Sequence, residues 1–402
     1  MNFLLVFVGL FIGLVAGLIP GLHSNTIIAA LASIGLNNED FAVLVISIFP
    51  AHMIASFIPS IFFGVPDEGT AISVLPGQRL VQEGKGIIAV KIVLFSCFFA
   101  GLCSLGIFMF SKEFFSITYA FLKPYIKYIV LLFSIIFLWR SKQPLLAAVV
   151  FILSGSLGYY ALNIGIYDPF LPLFSGMFAM GAILNYKAGS MPKQKEKQHE
   201  VPDVRKFHEF TYSRDRHVGH LDLGFIKYVL LGVIFGMFAD LLPGISSASQ
   251  VAAFMTIFFP LNTISFLASI AAISVSAGMF SLATVTSIGK SRVGATAWLS
   301  KFIDINANLL PLLVFFMVSM VLSIFVLYML RKKICALASI DFSRFNLVLV
   351  FYLAALVILL NGFYGLVIFC IASALGWLTI KLDVERTTMM GAVIIPTLIL
   401  LF

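Results

Sequence analysis

The stretch Gly13-Leu-Val-Ala-Gly17-Leu-Ile-Pro20-Gly21-Leu-His23-Ser24-Asn25-Thr26 decides the fold of this chain, because it occurs twice. The second copy runs Gly236-Met-Phe-Ala-Asp240-Leu-Leu-Pro243-Gly244-Ile-Ser246-Ser247-Ala-Ser249. Without a gap, Gly13 falls on Gly236, Pro20-Gly21 on Pro243-Gly244, Thr26 on Ser249, and Ala29-Ala30 on Ala252-Ala253. Each copy reads as an apolar helix broken by Pro-Gly, then small hydroxyl residues, then a second apolar helix. Paired, interrupted hydrophobic segments in two halves of a membrane protein point to the binding site of a transporter.

Working outward, 61% of the 402 residues are hydrophobic and only 11% charged, against about 25% charged in an ordinary soluble domain. Long, nearly uncharged stretches recur from end to end. That pattern predicts an all-α polytopic membrane protein and excludes a β-barrel, which needs short alternating segments. The opening segment has no basic n-region and no small-residue cleavage site before its Pro-Gly break, so it is expected to be structural and not a cleaved signal. The net charge of +8 collects in short connections, as orientation signals do, and not in a nucleic-acid patch. Cys97, Cys103, Cys335 and Cys370 lie in or beside apolar spans without metal-ligand or disulfide spacing, and read as small packing residues. The chain contains no Gly-rich loop ending in Gly-Lys-Ser/Thr, no His-Glu-x-x-His and no Gly-x-Ser-x-Gly. No enzyme activity, metal or cofactor is expected beyond a coupling ion, Na⁺ or H⁺.

One hydrophilic stretch, 186–225, separates a first repeat, 1–185, from a second, 226–402. It mixes Lys and Arg with Asp and Glu and holds His199, His208, His217 and His220. It reads as a solvated cytoplasmic linker, a metal or regulatory site needing ligands on one ordered face. Across it, Phe63-Gly64 to Thr70 is set against Ala277-Gly278 to Thr284. The runs 88–110, 118–139, 144–162 and 168–185 are set against 303–330, 344–360, 363–380 and 385–402, and are read as spans. With the linker inside, Arg140, Lys142, Arg79, Lys85 and Lys91 fall inside and Lys112 outside. In the second half Arg331-Lys332-Lys333, Lys381 and Arg386 fall inside and Asn361-Gly362 outside. Lys112 and Arg331 then occupy matching positions on opposite faces, so the repeats are expected to be inverted, with both chain termini outside. Odd parity requires about five crossings per half, 41–62 or 261–276 giving the fifth. The Pro-Gly elements (3–36 and 226–260) and the polar elements (63–87 and 277–299) must then enter and return from one side. Such hairpins survive only within protein or beside a water-filled cavity.

A Pro-Gly break frees backbone amides at the start of the next half-helix, and the dipole there favours an anion. Pro20, Gly21, Ser24, Asn25 and Thr26 form this arrangement in the first repeat, and Pro243, Gly244, Ser246, Ser247 and Ser249 in the second. Ordinary N-capping of two kinked helices is the alternative. His23 is either a structural hydrogen-bonder or a protonatable partner of an anion or a coupled proton. Asp67 and Glu68, adjacent carboxylates at a re-entrant tip, are candidates for cation coupling, for pairing with Arg79 or Lys85, or for plain solvation. Asp240 is a further cation candidate. Thr70, Ser281 and Thr284 are assigned to the facing polar tips. Lys290 and Arg292, like Arg79, Lys85 and Lys91, either attract an anion or anchor the chain at the interface.

These residues resemble the large membrane subunit of tripartite tricarboxylate transporters, the TctA-type permeases. Gly17-Leu-Ile-Pro20-Gly21 with Ser24-Asn25 resembles that family's first glycine-proline-glycine motif. Gly64-Val-Pro66-Asp67-Glu68-Gly69-Thr70-Ala71, Leu75-Pro76-Gly77-Gln-Arg-Leu80 and Glu83-Gly84-Lys85-Gly86 resemble its second and most diagnostic one. The region of Asp168 and Gly176 is similar to the end of the family's first half. The compact length and His23-Ser24-Asn25 look like the archaeal branch, while Asp67 and Glu68 place charges where the family shows an uncharged tip. The resemblance implies a secondary carrier for small carboxylates in the cytoplasmic membrane, driven by a cation gradient. It also implies a small membrane subunit and an extracytoplasmic binding protein as partners.

The expected function is therefore permease-type symport of small di- or tricarboxylate-like anions held between the paired Pro-Gly hairpins. A lipid-phosphate (polyprenyl-phosphate) translocase is the first rival, because a half-helix N-terminus binds phosphate as readily as carboxylate. A non-transporting scaffold or membrane enzyme is the second. Expected contacts are membrane lipid and the anionic substrate, with a homodimer open and no nucleic acid.

Overall fold

The computed structural model describes residues 2–19, 22–32, 34–65, 70, 73–185, 224–241, 248–259, 261–291, 293–336 and 342–402. All but the last two residues of the 186–225 linker lie outside this set, as do Pro20, Gly21, Asp67, Glu68, Pro243, Gly244, Ser246, Ser247 and Arg292. Among the described residues every element is helical and none is a strand.

Helix α1 (Leu4–Leu18) stops as Pro20 approaches, and Ile19, the residue before it, is extended (φ −89, ψ 113), as the proline ring demands. α2 (Ser24–Ala32) follows the break. At 15 residues, α1 is about 22 Å long, short of a full crossing. α3 (Asn38–Ala55) starts at Asn37, whose Oδ1 accepts the Asp40 amide at 2.8 Å. Glu39 and Asp40 occupy its first turn, where negative charge suits the helix dipole. It passes at Ser56 into α4 (Phe57–Phe63), which Gly64 closes in the left-handed conformation (φ 69). Then come α5 (Val74–Gln82), α6 (Gly86–Leu122), α7 (Ile126–Trp139) and α8 (Pro144–Asn163). α9 (Phe170–Phe174), a π-helical segment Ser175–Met180 and α10 (Gly181–Leu184) complete the first half.

The second half runs α11 (Gly224–Ala239), α12 (Ala248–Phe258), α13 (Thr263–Ile288), α14 (Gly294–Phe302) and α15 (Leu309–Ala336). α16 (Phe342–Lys381) is interrupted by non-helical Gly362 (φ 63, ψ −157), at the Asn361-Gly362 position expected for a turn. A 3₁₀ turn, Arg386–Met390, leads into α17 (Gly391–Leu401).

α3–α4 and α13 match at one constant offset. Asn262 caps α13 through Ser265 N at 2.8 Å as Asn37 caps α3, and Gly289 (φ 66) ends it as Gly64 ends α4. Ser56 Oγ donates to Met53 O at 3.1 Å and Ser281 Oγ to Gly278 O at 2.7 Å. These pairs correct the sequence alignment, which set Gly64 against Gly278. α13 runs unbroken through its 26 residues, so the turn within 277–299 falls at Gly289, before α14, and not among 277–284. Residues 277–288 contain no proline, and Ser281, Thr284, Thr286 and Ser287 donate to carbonyls of their own helix. Back-bonded hydroxyls of this kind are tolerated in an apolar span. In the first half α6 is helical to Leu122, but its candidate span is Gly86–Phe110 and Glu113–Leu122 is a separate segment, so the expected boundary near Lys112 divides the two.

The hairpin helices pack through glycine. A Cβ at Gly9 would lie 2.8 Å from Ser47 Cβ and 2.9 Å from Leu44 O, and one at Gly232 2.7 Å from Ala272 Cβ and 2.6 Å from Ser269 O. Gly13 meets Ile48 and Ala51, and Gly236 meets Ile273 and Ser276, the partner residues keeping that same offset. Small residues let backbones approach where no hydrophobic force between helices operates. The two halves interlock: Ser319 Oγ of α15 donates to Ser47 O of α3 at 2.6 Å, and Cys97 Sγ of α6 to Ala271 O of α13 at 3.8 Å. α8 lies on α17 through Gly158 and Gly391, and the α9–α10 segment on α16 through Gly176 and Gly376.

Six described helices are long and apolar enough to cross a membrane, or seven if Glu113–Leu122 and Ile126–Trp139, bent by 78°, form one span. Leu4–Leu18, Phe170–Leu184, Ile226–Ala239 and Arg386–Leu401 are apolar but shorter. Phe110, Trp139, Leu145, Leu359 and Leu400 are among the large apolar side chains left exposed, which a lipid surround accommodates. The chain is a multi-pass membrane protein.

Candidate functional site

Polar groups from three other elements meet around the start of α2: α3, the lead into α9 and α16. His23 Nδ1 accepts the Asn25 amide at 3.1 Å, satisfying one of the donors that a helix N-terminus leaves free. The bond places the ring proton on Nε2 in this arrangement. The His23 ring lies 5.6 Å from that of His52, and His52 Nε2 is 2.8 Å from Leu22 O. His52 comes from α3, where it is buried, and its backbone carbonyl lies against Gly17 of α1. The close α1–α3 packing thus carries an imidazole to the break.

Asn25 rests on the first residue of α14: a Cβ on Gly294 would overlap its carboxamide. Ser24 is buried at the first position of α2. Thr26 Oγ1 donates to Asp168 Oδ2 at 3.0 Å. The other oxygen, Asp168 Oδ1, accepts the amides of Phe170 and Leu171, both at 3.2 Å, and so begins α9. The Asp168 amide donates to Asn361 Oδ1 at 2.7 Å. Asn361 is 8% exposed, at the interruption of α16, and its Nδ2 has no hydrogen-bond partner among the described residues. Three interruptions of helical structure therefore meet: the α1–α2 break, the lead into α9 and the α16 break. Each leaves backbone or amide groups able to bind a polar ligand within protein.

The other expected residues lie elsewhere. Ser249 is buried at the second position of α12, and Asp240 is buried just past the end of α11. α2 packs on α1, α3 and α14, whereas α12 packs on α7, α11 and α13. Thr70 is buried, and its carbonyl accepts the hydroxyls of Ser60 at 3.1 Å and Ser73 at 2.7 Å, which are themselves 2.8 Å apart. Ser281 and Thr284 sit within α13, not at a tip, and their hydroxyls are used by Gly278 O and Ser281 O.

Arg79 and Lys85 pair with Glu83, at 3.4 and 2.9 Å. Glu83 stands between α5 and α6, and its carboxyl is held below the usual carboxylate range, chiefly by the Lys85 hydrogen bond. Lys290 Nζ donates to Tyr119 Oη at 3.1 Å, and Lys91 is buried within α6. Among the described residues no three His, Cys, Asp or Glu side chains group as metal ligands.

Sequence reading passed over His52 and Gly294, and noted Asp168 and Asn361 without giving either a role in the site. His52 carried a usable signal, since an ionisable residue inside an apolar run is a functional candidate by default. Asn361-Gly362 was legible as a turn, but its amide's role depends on Asp168, which only the folded chain brings to it.

No solved structure matches the chain. It is 26% identical over 419 residues to an uncharacterized protein of Methanocaldococcus jannaschii, across 99% of this chain and 98% of that protein. The tripartite tricarboxylate transporter TctA family matches residues 3–391, nearly the whole chain, from α1 through the start of α17 and including every part of the site around α2. With apolar spans throughout and its helix breaks gathered inside the protein, the chain belongs to the tripartite tricarboxylate transporter TctA family.

Proposed function

We propose that this chain is the permease of a secondary transporter for small carboxylates, binding one carboxylate group of its substrate at the start of α2. The observation that carries this reading is the convergence of Asn25, Thr26 and Asn361 at broken helix ends within protein. The α2 amides and the Asn361 Nδ2 are donors, which suits an anion. Membership of a tricarboxylate transporter family supports the substrate class.

The two halves act in this account as inverted repeats, 1–185 and 226–402, with the linker inside and both termini outside. The matched caps Asn37 and Asn262 and the matched glycines Gly13 and Gly236 support a repeat. Transport is driven by a cation gradient and proceeds by alternating exposure of the site. A small membrane subunit and an extracytoplasmic binding protein assist, in keeping with the tripartite family.

The test is uptake of labelled di- and tricarboxylates into proteoliposomes, with and without Na⁺ and pH gradients, for wild type and Asn25→Ala. Gradient-dependent uptake that the substitution abolishes is the expected result. Absence of carboxylate uptake, even with the partner subunits supplied, opposes the reading and favours a lipid-phosphate substrate.

A further inference from the structure

We propose that Asp168 is the residue through which the coupling cation is bound, a role resting on the reading of α2 as the anion site. Asp168 reaches that site directly, through the Thr26 hydroxyl at 3.0 Å. Its two oxygens are differently engaged. Oδ1 is held by the amides of Phe170 and Leu171, whereas Oδ2 faces the Thr26 hydroxyl. A hydroxyl can turn its lone pairs to a cation as readily as its proton to a carboxylate. Oδ2 and Thr26 Oγ1 together therefore present a hard-oxygen pair to a monovalent cation, or a single carboxylate oxygen to a proton.

Asn361 supplies the independent sign that a ligand belongs here. Its Oδ1 is fixed by the Asp168 amide at 2.7 Å, which settles the orientation of the carboxamide and leaves the buried Nδ2 without a partner among the described residues. A buried donor without a partner is costly, and an acceptor oxygen of the substrate relieves it. Anion and carboxylate then come close together. Thr26 lies in the first turn of α2, so an anion on the amides of that turn lies within about 8 Å of Asp168.

Like charges at that separation oppose one another strongly inside protein. Anion binding consequently favours a cation or proton on Asp168, and a cation there favours the anion to the same degree, because coupling free energy is reciprocal. Two negative groups brought together this way bind substrate and cation as a pair, which is the requirement for symport. The titratable groups nearest in sequence to the residues meeting here are His23 beside α2, His52 on α3, Tyr167 next to Asp168 and Tyr364 beyond Asn361, and the same elements also carry Glu39 and Asp40 in α3, Lys301 in α14, and Tyr352, Cys370 and Lys381 in α16. Asp67 and Glu68 lie outside the described residues.

The experiment uses the full chain in proteoliposomes, with any partner subunits it requires and a labelled carboxylate that the wild type takes up. Two processes are measured. One is uphill accumulation driven by Na⁺ alone or by a pH gradient alone; the other is counterflow exchange with no gradient. Asp168→Asn is expected to lose gradient-driven accumulation by at least about tenfold more than it loses counterflow, the scale of ordinary ligand coupling. The arm that drives the wild type identifies the cation as Na⁺ or H⁺.

Accumulation that stays gradient-driven in Asp168→Asn overturns the proposal. So does loss of both processes in a variant that melts like the wild type, since Asp168 then serves the site and not the coupling. If Asp168→Asn is poorly folded, Asp168→Glu decides. A shifted half-saturation for Na⁺ or H⁺ supports the proposal, and an unchanged one overturns it. Absence of carboxylate uptake by the wild type overturns the anion reading itself, a distinct failure from a coupled Asp168→Asn.

Discussion

Thr26 and Asp168 are hydrogen-bonded at 3.0 Å although 142 residues separate them in the chain. The bond ties the first hairpin to the lead into α9, and Asp168 ties both to the α16 interruption through Asn361. Hydrogen bonds to charged groups contribute about 1.5–3 kcal/mol, so Thr26→Val is expected to weaken carboxylate affinity roughly ten- to a hundredfold. Thr26→Ser, which keeps the hydroxyl, is expected to stay close to wild type. Isothermal titration of the purified permease with the transported carboxylate reads the difference, and equal affinities for the Val and Ser variants would count against a role for this bond.

Gly13 and Gly236 are each packed against backbone of the long helix beside them, by Ile48 and Ile273 respectively. Added methyl groups at such contacts cost about 1–3 kcal/mol. Gly13→Ala and Gly236→Ala are expected to lower the melting temperature in detergent by similar amounts. Gly106 is helical with nothing near its would-be Cβ, so Gly106→Ala is expected to be neutral or stabilising by about 0.5–1 kcal/mol. A neutral Gly13→Ala would contradict the close α1–α3 approach.

Asn37 and Asn262 cap α3 and α13 at matching positions and nearly equal distances. Loss of an Asn cap costs about 1 kcal/mol. Asn37→Ala and Asn262→Ala are expected to destabilise by comparable amounts, and the double variant by about their sum, as for distant sites. Thermal or denaturant unfolding of the three variants checks this; an effect confined to one half is the contrary result.

Gly294 leaves room for the Asn25 carboxamide at the start of α14. Gly294→Ala displaces that side chain without touching its chemistry. Misplacement by about 1 Å costs up to a hundredfold in a positioned site, so KM for carboxylate uptake is expected to rise at least about tenfold. Unchanged KM would show that Asn25 does not need its present position.

Much of this organisation was legible in the sequence because membrane helices declare themselves by composition. The Pro20-Gly21 break, the turn at Asn361-Gly362 and the apolar spans follow from backbone chemistry that residue type alone sets. What failed was register. The match of Gly64 to Gly278 placed like dipeptides together, whereas the shared caps Asn37 and Asn262 fix a different offset and carry Gly64 to Gly289. Ser281 and Thr284 looked like a polar tip because a hydroxyl's partner cannot be read from composition, and both turned out to be bonded within α13. Asp168 was noted only as part of a family-like region, because its role in the site lies in the contact with Thr26, a long-range pairing that no local pattern encodes.

The most direct test of the central claim is equilibrium binding of labelled di- and tricarboxylates to the purified permease, comparing wild type with Asn25→Ala. Binding to the isolated chain separates the site from any need for partner subunits in transport. Saturable binding by the wild type that weakens at least about tenfold in the variant, as loss of a buried ligand contact predicts, is the expected result. Equal carboxylate affinity in both proteins, or none in the wild type, would contradict a carboxylate site at the start of α2.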